Sequence, residues 1–180
     1  MTSPGERSLS LSEWLVLCLV CEQPRHGFAI ARLLTADGAM GEVWRVPKPV
    51  VYRALQRLEE LGLVRTAEQQ PSSQGPVRSL IAATGPGREA AAAWLATPVA
   101  HTRDVRSELL AKLALLDRAG HDPQPLARAQ RELLAPIADA LRARLDEATG
   151  FDRTLLLWRY ETASATIRFL DALCVQPAAR

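Results

Sequence analysis

The stretch PKPVVYRALQRLEELGLVRTA, residues 47–67, holds two different periods in succession. Val51, Leu55, Leu58 and Leu61 recur at +4, +3 and +3, which makes one buried stripe of a helix. Pro49 suits the first helical turn, where its missing N–H costs nothing, and Gly62 suits the C-terminal stop. A helix over 49–61 follows. After Gly62 the pattern turns strand-like: Leu63–Ala67 reads as a short strand, QQPSSQGP (69–76) as a polar turn, and Val77–Ile81 as the return strand of a hairpin.

Upstream, Leu11, Trp14, Leu15 and Cys18 lie at helical spacing in residues 9–21, with Ser8, Ser10 and Ser12 as candidate N-caps. Pro24 and Gly27 break that helix, and a second runs through Phe28, Ile30, Ala31, Leu33 and Leu34 to a loop marked by Asp37, Gly38 and Gly41. Three helices and a two-stranded hairpin make a winged helix-turn-helix, assigned to residues 1–96 with its wing at 69–78.

Downstream the chain reads as all helix. A helix over 88–95 ends in Trp94–Leu95, and 97–103 form a linker. Asp104–Leu116 is helical, with Leu109, Leu110, Leu113 and Leu116 available for one face. After a turn at Gly120–Pro123, Leu126, Gln130, Leu133, Ile137, Leu141 and Leu145 line the next helix, which Pro136 either kinks or divides. Beyond Gly150, Leu156, Tyr160, Ala163, Ile167, Leu170 and Cys174 form a heptad-like seam suited to a small bundle or a dimer interface. The fold class is therefore mainly α with a small β-hairpin wing: an N-terminal winged helix-turn-helix and a helical dimerisation domain over 97–180, with effector sensing there left open.

Composition agrees. Ala (29) and Leu (28) supply 57 of 180 residues, a helix-forming bias. Lys+Arg total 22 against 20 Asp+Glu, so a net charge of +2 excludes a general polybasic coat but not a local patch. No apolar run reaches the ~20 residues of a membrane span, and the N-terminus lacks the pattern of a secretory signal. With three cysteines, an odd count, a reduced cytoplasmic protein is the expectation.

The densest local charge is Arg45, Lys48, Arg53 and Arg57, with no acidic residue between Glu42 and Glu59. Lys48 and Arg53 fall near the start of the third helix, the end a helix-turn-helix presents to the major groove. Arg can bridge phosphate oxygens or read guanine O6 and N7, and the Tyr52 hydroxyl can reach a phosphate. A solvated helix face is the plainer alternative. Arg78 on the wing either meets DNA or pairs across the hairpin with Glu68.

Cys18-x-x-Cys21 lies inside a helix with no second ligand pair, so packing explains it better than metal or redox chemistry. His26, before Gly27, is expected to fix a helix start through a hydrogen bond. Trp14, Trp44, Trp94 and Trp158 are packing residues by default, with Trp94 and Trp158 the candidates for a stacked ligand. No phosphate loop, nucleophile elbow or carboxylate pair stands out, and neither cofactor nor metal is expected.

The chain resembles the PadR family of transcriptional regulators. Pro24–Ile30 is similar to that family's proline-x-His-Gly-Tyr-x-Ile segment. Val51–Glu59 resembles its Leu-Tyr-Pro-x-Leu-x-Arg-Leu-Glu helix, and Leu61–Val64 follows as in the family. Arg78 and Thr84-x-x-Gly87 are similar to its wing strand and next helix start, and Glu108–Lys112 to the opening of the C-terminal domain in longer members. Departures are Pro49–Val50 for Gly-Thr, Arg53 for Pro, and Leu80–Ile81 where an aromatic is common. The lost Thr hydroxyl puts a phosphate contact at Val50 in doubt, while Arg53 offers another.

The resemblance implies a homodimeric repressor, read here on a near-palindromic operator; taken with the charge run and the helix and wing positions, the candidate DNA contacts are Arg45, Lys48, Val50, Tyr52, Arg53, Arg57 and Arg78. Leu156, Tyr160, Ala163, Ile167 and Leu170 would form the dimer, and a small aromatic effector is an option at Trp94 or Trp158. The competing readings are a winged helix that binds protein, and a sensor whose main activity is capture of flat aromatic ligands. Nothing specific supports an enzyme.

Overall fold

The computed structural model describes residues 9–70 and 78–175. They divide into two compact units, residues 1–94 and 95–180.

In the first unit, α1 (Leu11–Glu22) opens with a reciprocal cap. The Glu13 N–H donates to Ser10 Oγ at 3.4 Å, and the Ser10 N–H donates to the Glu13 carboxylate at 2.6 Å. All six residues from Leu15 to Val20 are buried. The helix is thus enclosed on every side, where the sequence suggested a single stripe, because α2 (Gly27–Leu33), α3 (Lys48–Glu60) and a small sheet all pack on it.

That sheet has three strands in the order β1 (Arg25–His26), β3 (Arg78–Ala83), β2 (Val64–Gln70), all antiparallel. The expected two-stranded hairpin gains β1 because the residues between Pro24 and Gly27 are extended and find an open edge on β3. His26 is anchored there: its Nδ1 bonds the Ser79 carbonyl at 3.1 Å and makes no cap to α2, which corrects the helix-start role. A register shift between Thr66 and Glu68 sets Glu68 opposite Leu80 and Gln70 opposite Arg78, so Glu68 and Arg78 are not cross-strand partners. The wing loop 71–77 and the Arg78 side chain lie outside the described residues.

α3 ends in a Schellman motif. Gly62 has φ +68°, its N–H donates to Glu59 O, and the Leu63 N–H reaches back to Leu58 O. Leu61 is therefore the C-cap and exposed, one residue past the end of the helix and outside the buried stripe of Val51, Ala54, Leu55 and Leu58. The Thr84 carbonyl starts α4 (Gly85–Ala96), and its hydroxyl accepts from the Gly87 N–H at 3.1 Å. Gly87 faces the Leu63 carbonyl so closely that a Cβ there would collide with it, which accounts for the Thr-x-x-Gly pattern. Near the end of α4, Trp94 stacks on Trp14 with centroids 5.3 Å apart and planes 7° from parallel.

The second unit begins with a 3₁₀ turn (Thr102–Asp104) and a π turn (Val105–Leu109), then α5 (Leu110–Arg118), α6 (Gln124–Leu145) and α7 (Gly150–Val175). α6 is one helix with Pro136 inside it. Its buried face is Leu126, Ala127, Gln130, Leu134, Ala138 and Leu145, whereas Leu133 and Ile137 are exposed. Leu109, Leu126, Ala127, Leu134 and Leu170 meet Val99 in one core.

Candidate nucleic-acid interface

α3 has two opposed faces. Val51, Ala54, Leu55 and Leu58 are buried against the domain, while Lys48, Pro49, Tyr52, Arg53 and Gln56 face solvent. Of the predicted contacts, Arg45, Lys48, Tyr52 and Arg53 are exposed, Arg57 is half-exposed and Val50 half-buried. Arg57 is engaged along its own helix with Glu60 at 3.7 Å, a surface pair of little energetic weight. The two α3 acids, Glu59 and Glu60, sit at the far end, so the first two turns present positive charge only.

The turn before α3 is held from within. Met40 and Val46 are buried with Leu34, and the Val46 N–H donates to the Leu34 carbonyl at 3.1 Å. This fixes where α3 begins. α2 comes close because Gly27 has no side chain: a Cβ would stand 3.0 Å from the Tyr52 ring and 3.3 Å from Leu55. Next to it, Phe28 is 57% exposed, and the Lys48 ammonium lies 5.3 Å from its ring centre. The sequence reading missed Phe28 as a surface residue; an aromatic in a helical stripe is more often core, and only the contact with Lys48 distinguishes it.

Residues 16–93 match the profile of the Transcriptional regulator PadR-like family. Those residues are a PadR-like domain. Two solved structures are similar over most of the chain's length. Bacillus subtilis PadR in complex with operator DNA is 14% identical with a TM-score of 0.48, over 92% of this chain and 98% of that one. The protein smu.1604c from Streptococcus mutans UA159 is 18% identical with a TM-score of 0.44, over 91% and 98%. No curated protein matches the chain. No described helix is long and apolar enough to cross a membrane.

Within the first unit, Trp94 is only 8% exposed and one face is covered by Trp14. Trp94 thus takes the packing role, and its ring is spent on Trp14 instead of being open to the stacked ligand considered for it. Cys18 is buried, and Cys21 donates weakly to the Gly87 carbonyl at 3.9 Å. Burial pushes the Cys21 thiol up to about 11, with Arg88 opposing, so it is a poor nucleophile.

In the helical unit the predicted dimer seam is largely spent inside the chain. Leu156, Ala163 and Leu170 are buried against neighbouring helices, Ile167 is half-buried on the core, and the Tyr160 hydroxyl accepts from Arg142 at 3.2 Å. That hydrogen bond favours the phenolate and holds the Tyr160 pKa below its usual value. These residues lie on the helix that packs against α6, because a seam of this spacing packs on whichever helix lies nearest, and α6 ends a short turn before α7 begins. Opposite them α7 carries a second apolar line at Phe151, Trp158, Ala165 and Phe169, with Trp158 69% exposed. Trp158 and Phe169, with Val105 and Leu110, line an open groove of about 970 Å³ rimmed by Arg103, Arg106, Arg159 and Arg168.

Proposed function

We propose that this chain is a homodimeric, sequence-reading DNA-binding transcriptional regulator, acting as a repressor. The observation that supports it is the two-faced α3: one face belongs to the core, and the other carries Lys48, Tyr52 and Arg53 with no acid in its first two turns. A helix fixed on one side and basic at its N-terminal end suits insertion into the major groove, with Arg45 and Lys48 on phosphates and Arg53 within reach of base edges. The PadR-like domain, of a family of transcriptional regulators, supports the same reading.

The dimer partner belongs on the outer line of α7. A second copy covering Phe151, Trp158 and Phe169 would remove three exposed rings from water. Two PadR-like domains would then meet half-sites about one helical turn, ~34–36 Å, apart or a multiple of it. A flat aromatic effector entering the Trp158 groove would compete with that partner and weaken operator binding by its differential affinity for the two states.

The test is fluorescence anisotropy over a salt series, with a duplex selected from a random pool against a scrambled duplex of equal length. Selective binding of at least ~10³-fold supports sequence reading. Equal, steeply salt-sensitive affinity for both reduces α3 to an electrostatic patch. Absence of binding to either favours a winged helix that docks protein.

A further inference from the structure

We infer that Phe28 is a specificity-determining residue that reads the 5-methyl group of a thymine in the major groove. The inference rests on the DNA-binding reading of α3 and adds to it a contact from a different helix. α2 buries Gly27, Ile30 and Ala31 but leaves Phe28 in solvent. An isolated exposed ring needs no explanation by itself. This one stands beside the first turn of α3, and Lys48, the first residue of that helix, lies over its face.

Two relationships fix its surroundings. Gly27 lies against the Tyr52 ring, so Phe28 stands next to the Tyr52–Lys48 edge of α3, which also carries Arg53. Glu59 and Glu60 are at the other end of that helix. A duplex drawn to Arg45, Lys48 and Arg53 therefore brings its groove floor to the ring. In the major groove the apolar group that distinguishes one base pair from another is the thymine C5-methyl, which pairs with an apolar side chain where the other base edges require hydrogen bonds. With one face of the ring under the Lys48 cation, the remaining edge and face are available to that methyl.

The experiment uses the full chain and its selected duplex, with each thymine replaced in turn by deoxyuridine, which removes the methyl and nothing else. At one thymine per half-site the replacement weakens wild-type binding about fourfold, the effect of one methyl group taken from water. In Phe28→Ala the same replacement has no effect, and Phe28→Tyr, which keeps the ring, restores it. Phe28→Gln, which replaces the ring with a longer polar chain than alanine, serves as a second variant should the alanine protein fold poorly, and circular dichroism checks each. If every deoxyuridine effect persists in both ring-less variants, or none exists in the wild type, the proposal is overturned while DNA reading by α3 stands. A chain that selects no sequence from the pool overturns both.

Discussion

The side-chain amide of Gln130 pairs with both backbone polar groups of Val99: its oxygen accepts from the Val99 N–H at 2.7 Å, and its Nε2 donates to the Val99 carbonyl at 3.0 Å. Gln130 and Val99 are both buried. An irregular segment is thereby sealed into the helical core with its polar groups satisfied, as a strand neighbour would do it.

Gln130→Leu keeps the bulk and removes both bonds. The two stranded backbone groups should cost roughly 2–5 kcal/mol together, well above the ~1 kcal/mol of an average lost hydrogen bond. Urea unfolding of the full chain measures it; a loss under 1 kcal/mol would mean that Val99 finds other partners.

Glu108 and Lys112 form an ion pair one turn apart in the helical unit. Lys112 is 1% exposed, pairs with Glu108 at 2.7 Å and donates to the Thr97 carbonyl at 2.7 Å. Glu108→Ala removes the carboxylate that faces the buried ammonium and should cost about 3 kcal/mol, the low end for a broken buried pair because Glu108 is partly exposed. The double variant Glu108→Leu/Lys112→Met removes both charges and should recover most of that loss. Equal losses in single and double variants would show that shape, not charge, matters there.

Much of this was open to sequence reasoning, and the gaps have physical causes. α3, its Gly62 stop and the strands after it were legible because a period change needs no tertiary information. The third strand was not: two residues, Arg25 and His26, carry no period at all. In α7 the spacing correctly marked Leu156, Ala163 and Leu170 as inward, but no spacing says whether the facing helix belongs to the same chain. Gln130 was visible as a polar residue within an apolar stripe, though its partner 31 residues away was not. Phe28 was hidden because hydrophobicity predicts burial only on average.

At the DNA, Arg53 and Arg57 should separate. Arg53 is exposed near the start of α3, whereas Arg57 is half-exposed and drawn toward Glu60. Arg53→Ala should cost about 1–3 kcal/mol of specific affinity and relax the preference at one base position if it reads guanine. If it holds a phosphate, it should lower the salt slope by about 1 without changing specificity. Arg57→Ala should cost less than either. Anisotropy titrations against the selected duplex decide, and a larger loss at Arg57 would place the contact one turn further along α3.

Cys21 gives a pH prediction. Its thiol is pushed up to about 11 in the fold from an ordinary value of 9.0, chiefly by burial. The unfolded chain then releases this proton first, so the stabilisation is whole below pH ~9 and is lost as pH rises through the folded value. Between pH 8 and 11 the urea midpoint of the wild type should fall more steeply than that of Cys21→Ala. Parallel slopes would show that the thiol ionises as freely in the fold as outside it.

Leu156 is buried within the chain, while Trp158, two residues on, is 69% exposed. Leu156→Asp puts a charge into the α6–α7 contact and should abolish cooperative unfolding of the helical unit, whatever its effect on association. Trp158→Asp and Phe169→Asp place the charge on the outer line of α7 and should leave the helix content unchanged. Both should run as monomers in light scattering. Their operator affinity should fall by about 10²–10⁴, since a monomer loses the effective concentration that linkage gives its second half-site. A Trp158→Asp protein that remains dimeric would rule out this face and return the interface to elements outside the outer line of α7.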